Sequence, residues 1–468
     1  MLQQYLVRDE HIEPLADGVM TVLEQVGILC QNDTLLEALR AAGAQVEMAE
    51  QRARFPRRMV EEFVAQFRSE RQDELTAAPF VPPGLPRVET QVAQYYYDHN
   101  TGKRRSGNTR DFIECIKLGE VLHGDQGVAH ALLSTDVPPL LEPLNAALLL
   151  TEYASNPCGV YPWDYRQIDY LIEMGEILGR PSLWTWGALC FAHPLRLDRD
   201  VVNRLVRMCR DGAAIGITAM PVAGVSTPVT VEGFIAVAAA EVVSVWIAGR
   251  CLNPEAPLAG SMWAGTVDMK TGGVSYSAFD AMYYAFSVIE FLRRWTGISI
   301  PPGSGEYCDS KEPGMFAALE KHYKAMTVAA FTGHHPPTGQ GMLECGKTLA
   351  PVQLLLERDL TAALGQYGRE ISPTLPQMGL ESILEVDLGL HQNHLQTMHT
   401  LQHFRQSLWL PELVERAGWS GPQQDEVLLQ RAQHKLEDLW ASYRKPEPRD
   451  EQIAQMRAVM ERAARELA

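Results

Sequence analysis

Between about residues 115 and 360, short apolar runs alternate with segments whose apolar residues recur at helical spacing. Clear pairs are AIGITAMPVAG followed by TVEGFIAVAAAEVVSVWIAG, and SMWAGTVD followed by SAFDAMYYAFSVIEFLRRW. Such repetition is typical of a parallel sheet covered by helices. With about eight candidate strands, a closed (β/α)8 TIM barrel is favoured over an open sheet, and no G-x-G-x-x-G motif opens a helix.

The flanking segments show other patterns. Before residue 75 the apolar spacing is helical, with Asn32 and Asp33 as candidate N-caps, and DHNTGK predicts a turn between two strands. The last helical pattern, DEQIAQMRAVMERAARELA, predicts a packing or oligomerising helix. The predicted regions are an N-terminal helical region (1–75), a linker and hairpin (76–114), the barrel core (115–365), and final barrel elements with C-terminal helices (366–468).

The charge and cysteine content exclude several classes of function. The formal net charge of −17 argues against a nucleic-acid binder, because counterion release requires a positive surface. It weakly favours a cationic or zwitterionic substrate. The eight cysteines form no CxxC pair, so they are expected to be reduced. No apolar leader or membrane-spanning run is found, which predicts a cytoplasmic protein without a membrane partner.

Aromatic residues are concentrated where the predicted strands end, which is where a parallel barrel builds its active site. Several ring faces turned toward one cavity bind a methylated ammonium by cation–π attraction, worth about 0.5 to 2 kcal/mol per ring. The alternative for each ring is core packing. The rings in question are Trp163, Tyr165, Trp184, Trp186, Trp263 and Tyr276, with Tyr95, Tyr96 and Tyr97 in the preceding hairpin.

Two polar loops are further candidates. In AAFTGHHPPTGQGMLECG, either His334 or His335 is expected to face the cavity, or else to bond a loop carbonyl. A zinc site built from these histidines with Glu344 and Cys345 has unusual ligand spacing. In PPGSGEYCDSK, Lys311 is a candidate partner for a substrate carboxylate, or else a solvated loop charge that pairs with Asp309.

The segment DLGLHQNHLQTMHTLQHFR holds four more histidines, at 391, 394, 399 and 403. His399 and His403 are four residues apart, a spacing that suits a metal face on a helix, but the glutamate of an HExxH motif is absent. Packing or capping is the alternative. No G-x-S-x-G nucleophile elbow occurs, so the residues alone indicate a barrel with an aromatic mouth and no particular reaction.

The order of several blocks resembles the trimethylamine methyltransferase family. VLEQVGILCQNDTLLEALRAAGAQVEM and RFPRRMVEEFVA are similar to the opening of family members. The resemblance covers nearly the whole chain. The later matching blocks are YYYDHNTGKRRSGNTRDF, STDVPP, CDSK, GQGMLECG and HLQTMHTLQHFRQSLWLP.

The resemblance implies a TIM barrel that presents a methylated amine to Co(I) of a separate corrinoid protein. The founding enzymes use pyrrolysine, whereas this chain has ordinary residues through His334–Gly346. Similar pyrrolysine-free enzymes act on betaines, so glycine betaine is the expected substrate and dimethylglycine the product. A quaternary ammonium leaves as a neutral amine, so positioning and desolvation replace acid–base chemistry. The implied cofactor is the partner's cobalamin, with no tightly bound metal, and a homo-oligomer is expected.

In the resulting site prediction, aromatic rings bind the ammonium group of the substrate. His334 or His335 lies near the corrinoid, and Lys311 or a backbone donor binds the substrate carboxylate. Other readings stay open: another betaine, such as proline betaine, carnitine or γ-butyrobetaine; a tertiary amine with a different activator; a zinc-dependent relative; or a non-catalytic sensor of quaternary ammonium compounds. The predicted ammonium-binding rings are Tyr97, Trp184, Trp186, Trp263 and Tyr276.

Overall fold

The protein is described from a computed structural model. It describes residues 6–70, 82–180, 183–184, 188–303, 305–333, 335–368, 371, 373–416, 418, 421 and 423–467.

The N-terminal region packs helices around a small sheet. Its elements are α1 (Asp9–Thr21), β1 (Ile28–Cys30), α2 (Asp33–Ala41), β2 (Gln45–Glu47), β3 (Arg52–Arg54) and α3 (Arg57–Glu70). The predicted cap is confirmed, because the Asn32 side chain accepts a hydrogen bond from the Leu35 backbone N–H at 2.9 Å. The sequence analysis predicted only helices here, since strands of three residues are too short for alternation to be recognised.

The predicted hairpin is confirmed. Strands β4 (Tyr95–Asp98) and β5 (Lys103–Ser106) pair antiparallel across the turn at 99–102. Arginines of β5 lie over tyrosines of β4: the guanidinium of Arg104 is 4.1 Å from the ring centroid of Tyr95. This hairpin also joins the body of the protein, because β4 pairs in parallel with the later strand β13 (Thr348–Leu349).

The central repeat contains the expected helices, and every amphipathic segment named from the sequence is helical. The helices are α4 (Thr109–His123), α5 (Glu142–Tyr153), α6 (Ile168–Ile177), α7 (Arg199–Arg210), α8 (Val231–Leu252), α9 (Phe279–Thr296), α10 (Met315–Thr332) and α11 (Pro351–Leu364). The strands, besides β13, are β6 (Arg196–Leu197), β7 (Ile215–Ala219), β8 (Val222–Ala223), β9 (Leu258–Met262), β10 (Gly265–Val267), β11 (Val274–Ser275) and β12 (Met342–Leu343).

The mixed α/β architecture is confirmed, but the strand ladders of the described residues form four separate sheets and no closed barrel. Their orders are β2-β3-β1-β6, β11-β10-β8, β12-β13-β4-β5 and β7-β9. Between these ladders, single parallel bridges or hydrogen bonds connect consecutive segments of the chain. The bridges are Ala93 to Leu132, Val128 to Pro157, Val160 to Trp184, Met262 to Pro302 and Gly305 to Thr338.

The larger core lies around α8. This helix is mostly apolar, with Glu241 buried among its apolar residues, and 72% of its most apolar 18-residue window is buried inside the protein. It is the one helix of the described chain long and apolar enough to cross a membrane, a test that core helices also pass. Trp246 is fully buried and donates its indole N–H to the Ala259 carbonyl at 2.8 Å, so this ring packs in the core.

The C-terminal part is helical in its described residues. It contains α12 (Leu375–Met378), α13 (Leu380–Val386), α14 (Met398–Ser407), α15 (Gln424–Ser442) and α16 (Asp450–Glu466). The last two helices return to the body: Trp440 donates its indole N–H to the Glu114 carbonyl at 2.9 Å, and Met456 is buried beside Thr151. Helix α16 therefore packs on its own chain through its apolar side.

Candidate active site

Trp263 follows β9 directly and lies at the carboxyl end of the β7–β9 pair. The Ser261 hydroxyl is 3.3 Å from the Thr218 hydroxyl, on the face of these strands opposite the helices, whereas Met262 is buried. Because side chains alternate along a strand, Trp263 shares the face of Ser261. Its backbone N–H donates to the Ala219 carbonyl at 2.7 Å, and its side chain keeps part of its surface exposed.

Tyr307 stands beside Trp263. Their ring centroids are 4.7 Å apart and their planes are inclined by 52°. Two glycines make room for the rings: a Cβ at Gly303 would lie 2.5 Å from the Trp263 ring, and one at Gly346 would lie 2.3 Å from Tyr307. Gln91 donates from Nε2 to the Tyr307 hydroxyl at 2.7 Å, which fixes that ring from the opposite side.

Tyr276 adds a third ring. It lies against Gly265, where a Cβ would approach the ring to 2.8 Å, and its hydroxyl donates to the Met220 carbonyl at 3.4 Å. Burial raises the pKa of this tyrosine, so it stays neutral. The ring is therefore an apolar surface at neutral pH.

Lys324 joins the three rings from α10. Its side chain is buried, with 4% of the residue exposed, and Nζ donates to the Tyr276 carbonyl at 2.9 Å. The same nitrogen lies 5.2 Å from the Trp263 ring centroid. Burial lowers the pKa of Lys324 to about 8, while the charges of Glu306 and Asp309 favour the protonated form. The site thus contains a buried cation that is protonated at pH 7.

Two potential nucleophiles of this cluster, the Cys345 thiol and the Tyr307 hydroxyl, are kept protonated. Asp309 accepts hydrogen bonds from the Ser275 hydroxyl and from Cys345, whose Sγ is 3.1 Å from Oδ1. Burial raises the pKa of the Cys345 thiol to about 11. Burial also raises the pKa of Tyr307. A neutral thiol is a far weaker nucleophile than a thiolate, so Cys345 is held in its less reactive form.

The Gly-rich loop under the site is anchored by a buried ion pair. Lys321 and Glu357 are both fully buried and contact each other directly. Glu357 also accepts from the backbone N–H groups of Gln340 at 2.9 Å and Gly341 at 2.8 Å. At Gly339, φ is +82° and a Cβ would lie 1.9 Å from Glu357. The TGQG sequence is therefore required by the backbone path around this carboxylate.

The predicted residues are distributed unevenly around this cluster. Trp263 and Tyr276 lie in it together. Tyr97 packs instead against a small separate core that includes Cys308 and Leu343. Trp184 forms a parallel bridge with Val160 and packs against the second large core.

The polar candidates lie at the edge. Lys311 is exposed, and its Nζ donates to the Asp309 carbonyl two residues away at 2.8 Å. His335 is half-buried, with Nδ1 2.9 Å from the Pro336 carbonyl. Trp186 and His334 lie outside the described residues. The role assigned to each of these residues stays a prediction.

Tyr307, Lys324 and Gln91 were missed from the sequence. Tyr307 follows a short ISI run interrupted by prolines and glycines, which hides the strand end. Lys324 was overlooked because lysines on helices are usually solvated. The sequence of α10 could have indicated its role. One face carries Lys321 and Lys324 and the opposite face carries large apolar residues, so the helix must either bury the lysines or, on the other face, bury the apolar residues.

Within the described ranges, no group of three or more His, Cys, Asp or Glu side chains is placed to hold a metal ion. His399 and His403 do meet, with ring centroids 4.5 Å apart and planes inclined by 42°. Their contact is a side-by-side packing of two rings, and His399 also lies against Gly379.

Comparisons with known proteins agree on one family. The family model described as trimethylamine methyltransferase (MTTB) matches residues 3–468. A glycine betaine methyltransferase of Desulfitobacterium hafniense is 21% identical over 484 aligned positions, which cover 100% of the chain and 99% of that relative. A trimethylamine methyltransferase of the same species is 21% identical and covers 97% of the chain and 92% of the relative.

Other relatives match over a shorter stretch. A trimethylamine methyltransferase of Methanosarcina mazei is 24% identical over 284 residues, which cover 59% of the chain and 55% of the relative. The matched part thus spans about half the length of such Methanosarcina relatives. Among solved structures, the monomethylamine methyltransferase of Methanosarcina barkeri aligns over 92% of both chains, with 11% identity and a TM-score of 0.40.

Proposed function

The chain belongs to the trimethylamine methyltransferase family, and we propose that it moves a methyl group from a quaternary amine to the cobalt of a corrinoid protein. The best substrate is glycine betaine, which leaves as dimethylglycine. The observation that carries this proposal is the Trp263 ring at one strand end, which packs against the Tyr307 ring and lies 5.2 Å from the buried ammonium of Lys324.

For the fold we infer a closed barrel of eight parallel segments. Beyond the five bridges described above, the Thr218 N–H donates to the Leu189 carbonyl at 2.8 Å, and β7 pairs in parallel with β9. Gln340 Nε2 lies 3.3 Å from Glu89 Oε2, which brings the last segment to the first. Each segment precedes one of the helices α4 to α11, the order of a (β/α)8 barrel.

The rings provide the surface for a methylated nitrogen. Trp263 and Tyr307 offer inclined faces, and each well-placed ring attracts a quaternary ammonium by about 0.5 to 2 kcal/mol. Because Trp263 keeps exposed surface, an acceptor carried by a second protein can reach a methyl group that lies on it.

Lys324 favours a zwitterion over a simple cation. Two like charges 5 to 6 Å apart repel by about 3 kcal/mol at an effective dielectric constant of about 20. A bare trimethylammonium on Trp263 meets that repulsion, whereas a betaine can turn its carboxylate toward the lysine. The buried ammonium therefore takes the role that the sequence analysis assigned to Lys311, which is exposed and bonded to its own loop.

No proton donor is needed for such a substrate. The N–CH3 bond breaks with its electron pair on nitrogen, which becomes a neutral tertiary amine. A corrinoid carried by a partner protein would supply, from reduced cobalt, the electron pair that accepts the methyl group. The chain orients the substrate, excludes water, and keeps Cys345 and Tyr307 protonated, so catalysis is positioning plus desolvation.

The experiment is conversion of Co(I) to methyl-Co(III), followed by its absorbance, with glycine betaine, proline betaine, carnitine, γ-butyrobetaine and trimethylamine as donors. We expect turnover with a betaine and little with trimethylamine. Binding of betaines without any loss of Co(I) would instead identify a sensor. Turnover that prefers trimethylamine would contradict the role of Lys324. The proposed location is the cytoplasm, with no membrane or nucleic-acid partner.

A further inference from the structure

His193 lies at the end of the chain segment that runs beside β7. The Thr218 N–H of β7 donates to the Leu189 carbonyl of this segment at 2.8 Å. In a parallel ladder every second residue donates to the same neighbour, so the next bond would join the Met220 N–H to the Phe191 carbonyl. Instead, the Met220 N–H donates to Nε2 of His193 at 3.1 Å. A side chain thus takes the place of a ladder bond at the carboxyl end of β7.

This hydrogen bond acts on the backbone turn to which two rings of the candidate site are anchored. The N–H of Met220 and the carbonyl of Ala219 belong to one planar peptide unit and point in opposite directions. That carbonyl accepts the Trp263 N–H at 2.7 Å, and the Met220 carbonyl accepts the Tyr276 hydroxyl at 3.4 Å. His193 therefore restrains, from one side, the peptide that holds Trp263 from the other.

A buried carboxylate fixes the orientation of His193. Glu241 of α8 has no exposed surface, and its two oxygens lie 2.8 and 3.0 Å from Nδ1 of His193. The same carboxylate accepts the Leu195 N–H at 2.8 Å. Because Nε2 accepts a bond from a backbone N–H, the proton of the ring is on Nδ1, which donates to Glu241. The carboxylate therefore selects one tautomer of the ring, which an apolar neighbour could not do.

We propose that His193 is a positioning residue of the methyl-transfer site, with Glu241 as its support. Nε2 of His193 keeps the peptide between Ala219 and Met220 in the orientation that places the Trp263 ring for the substrate. His193 itself does not touch the substrate, since both of its ring nitrogens are already engaged. This role rests on the proposed function, because the placement of Trp263 matters to catalysis only where its ring meets a methylated nitrogen.

His123 provides a matched control at the opposite end of the strands. It is also buried, its Nε2 accepts the Val88 N–H at 2.9 Å, and its Nδ1 lies 3.0 Å from the Gly127 carbonyl. Burial lowers the pKa of His123 to about 4, so this ring is neutral at pH 7. Val88 and Gly127 precede the segments that bridge at Ala93 and Leu132, so His123 lies at the amino ends of the strands.

The test compares asparagine at the two histidine positions. The side chain of His193→Asn can still donate to Glu241 but is too short to reach Met220, whereas that of His193→Gln can accept the Met220 N–H. The protein is labelled with fluorotryptophan, and the fluorine NMR resonance that is lost in Trp263→Leu belongs to Trp263. We expect this resonance to move in His193→Asn, and to keep its wild-type position in His193→Gln and in His123→Asn.

Stability and turnover complete the experiment. Urea denaturation should show similar losses for the two asparagine variants, since each leaves one buried backbone N–H unpaired. With glycine betaine and Co(I), His193→Asn should lower kcat/KM by about 10-fold or more, because a misplacement of about 1 Å can cost about 100-fold. His123→Asn should keep the wild-type kcat/KM, and His193→Gln should restore most of it.

The fluorine spectra decide the proposal. A Trp263 resonance that stays in place in His193→Asn, or that moves equally in His123→Asn, overturns it. If His193→Asn does not fold, His193→Gln decides instead: a displaced Trp263 resonance overturns the proposal and an undisplaced one supports it. A wild type that turns over no betaine contradicts the proposed function alone, because the spectra still show whether His193 positions Trp263.

Discussion

Helices α8 and α10 both cover the strands, yet they use their faces in opposite ways. Helix α8 buries its apolar residues, among them Trp246 at 0% exposure. Helix α10 turns Lys321 and Lys324 inward and leaves Phe316 and Leu319 at the surface. The first arrangement maximises apolar burial. The second places charge beside the rings of the site and leaves apolar side chains of α10 at the surface.

The two helices are expected to respond differently to substitution, because one is packed mainly by apolar side chains and the other carries buried cations beside the candidate site. A helix that contributes only packing tolerates apolar exchanges of similar volume. A helix that carries buried cations depends on specific partners, because a buried charge that loses its partner is costly. We therefore expect changes among the apolar residues of α8, such as Trp246, to affect unfolding alone, and changes on the inner face of α10 to affect both unfolding and substrate binding.

The largest effect is expected at the buried ion pair. Glu357→Ala leaves the Lys321 ammonium without its partner and removes the acceptor for two loop N–H groups. We expect a loss of about 3 to 5 kcal/mol in the free energy of unfolding, measured by urea denaturation. The double variant Lys321→Met with Glu357→Leu should recover part of this loss. Full stability in the single variant would show that the pair contributes nothing.

The next effect concerns the inner face of α10. Lys324→Met removes the proposed carboxylate partner and should weaken glycine betaine binding by about 10- to 100-fold, since hydrogen bonds to charged groups contribute about 1.5 to 3 kcal/mol. Calorimetric titration measures the dissociation constant. Lys311→Met is the matched control and should bind normally, because Lys311 is exposed. If Lys311→Met weakened betaine binding more than Lys324→Met, Lys311 would be the partner of the substrate carboxylate.

Lys324 also predicts a pH dependence. The pKa of this lysine is lowered to about 8, so the ammonium is charged at pH 7 and neutral at pH 9. Glycine betaine does not titrate in this range. Its dissociation constant should therefore rise as the pH passes upward through about 8, and Lys324→Met should abolish this rise. A flat profile in the wild type would contradict the assignment.

A smaller effect is expected from one ring. Trp263→Leu removes a cation–π contact worth about 0.5 to 2 kcal/mol, which corresponds to about 2- to 30-fold weaker betaine binding. Trp440→Leu is the control, because Trp440 is partly buried on α15 and bonds to Glu114 away from the site. If both variants bind alike, Trp263 belongs to the structural core.

The smallest effect is expected from the N-cap of α8, a change that should alter stability and leave substrate binding intact. Thr230 caps this helix, its side chain accepting from the Gly233 N–H at 3.4 Å. Thr230→Ala should cost about 0.5 to 1 kcal/mol in thermal or denaturant unfolding and leave betaine binding unchanged. A change in binding would show that the N-cap of α8 is coupled to the site.

Much of the fold was predictable because its helices are long and regular. The repeats that became α8 and α9, the β4–β5 hairpin and the Asn32 cap all follow from periodicity and turn chemistry. Strands β1 to β3 could not be predicted, because three residues are too few to show an alternation of apolar and polar side chains. The connections between the sheets were hidden for a related reason: several of these segments meet through single bridges, which leave a weak sequence pattern.

The sequence pointed to part of the candidate site. Trp263 and Tyr276 are candidates because they follow predicted strands, and the structure places both beside Lys324; their role in binding stays a prediction. Lys324 was missed because its function depends on the direction of a helix face, which is fixed by the packing of α10 against Tyr276 and Glu357 rather than by local sequence. Tyr97 packs against a small core that includes Cys308 and Leu343, and its role in binding the ammonium stays a prediction.

The most direct test of the account is a crystal structure of the protein with glycine betaine bound. We expect the trimethylammonium group to lie against Trp263 and Tyr307 and the carboxylate to lie within hydrogen-bond distance of Lys324 Nζ. Betaine bound elsewhere, or with its carboxylate turned away from Lys324, would contradict it.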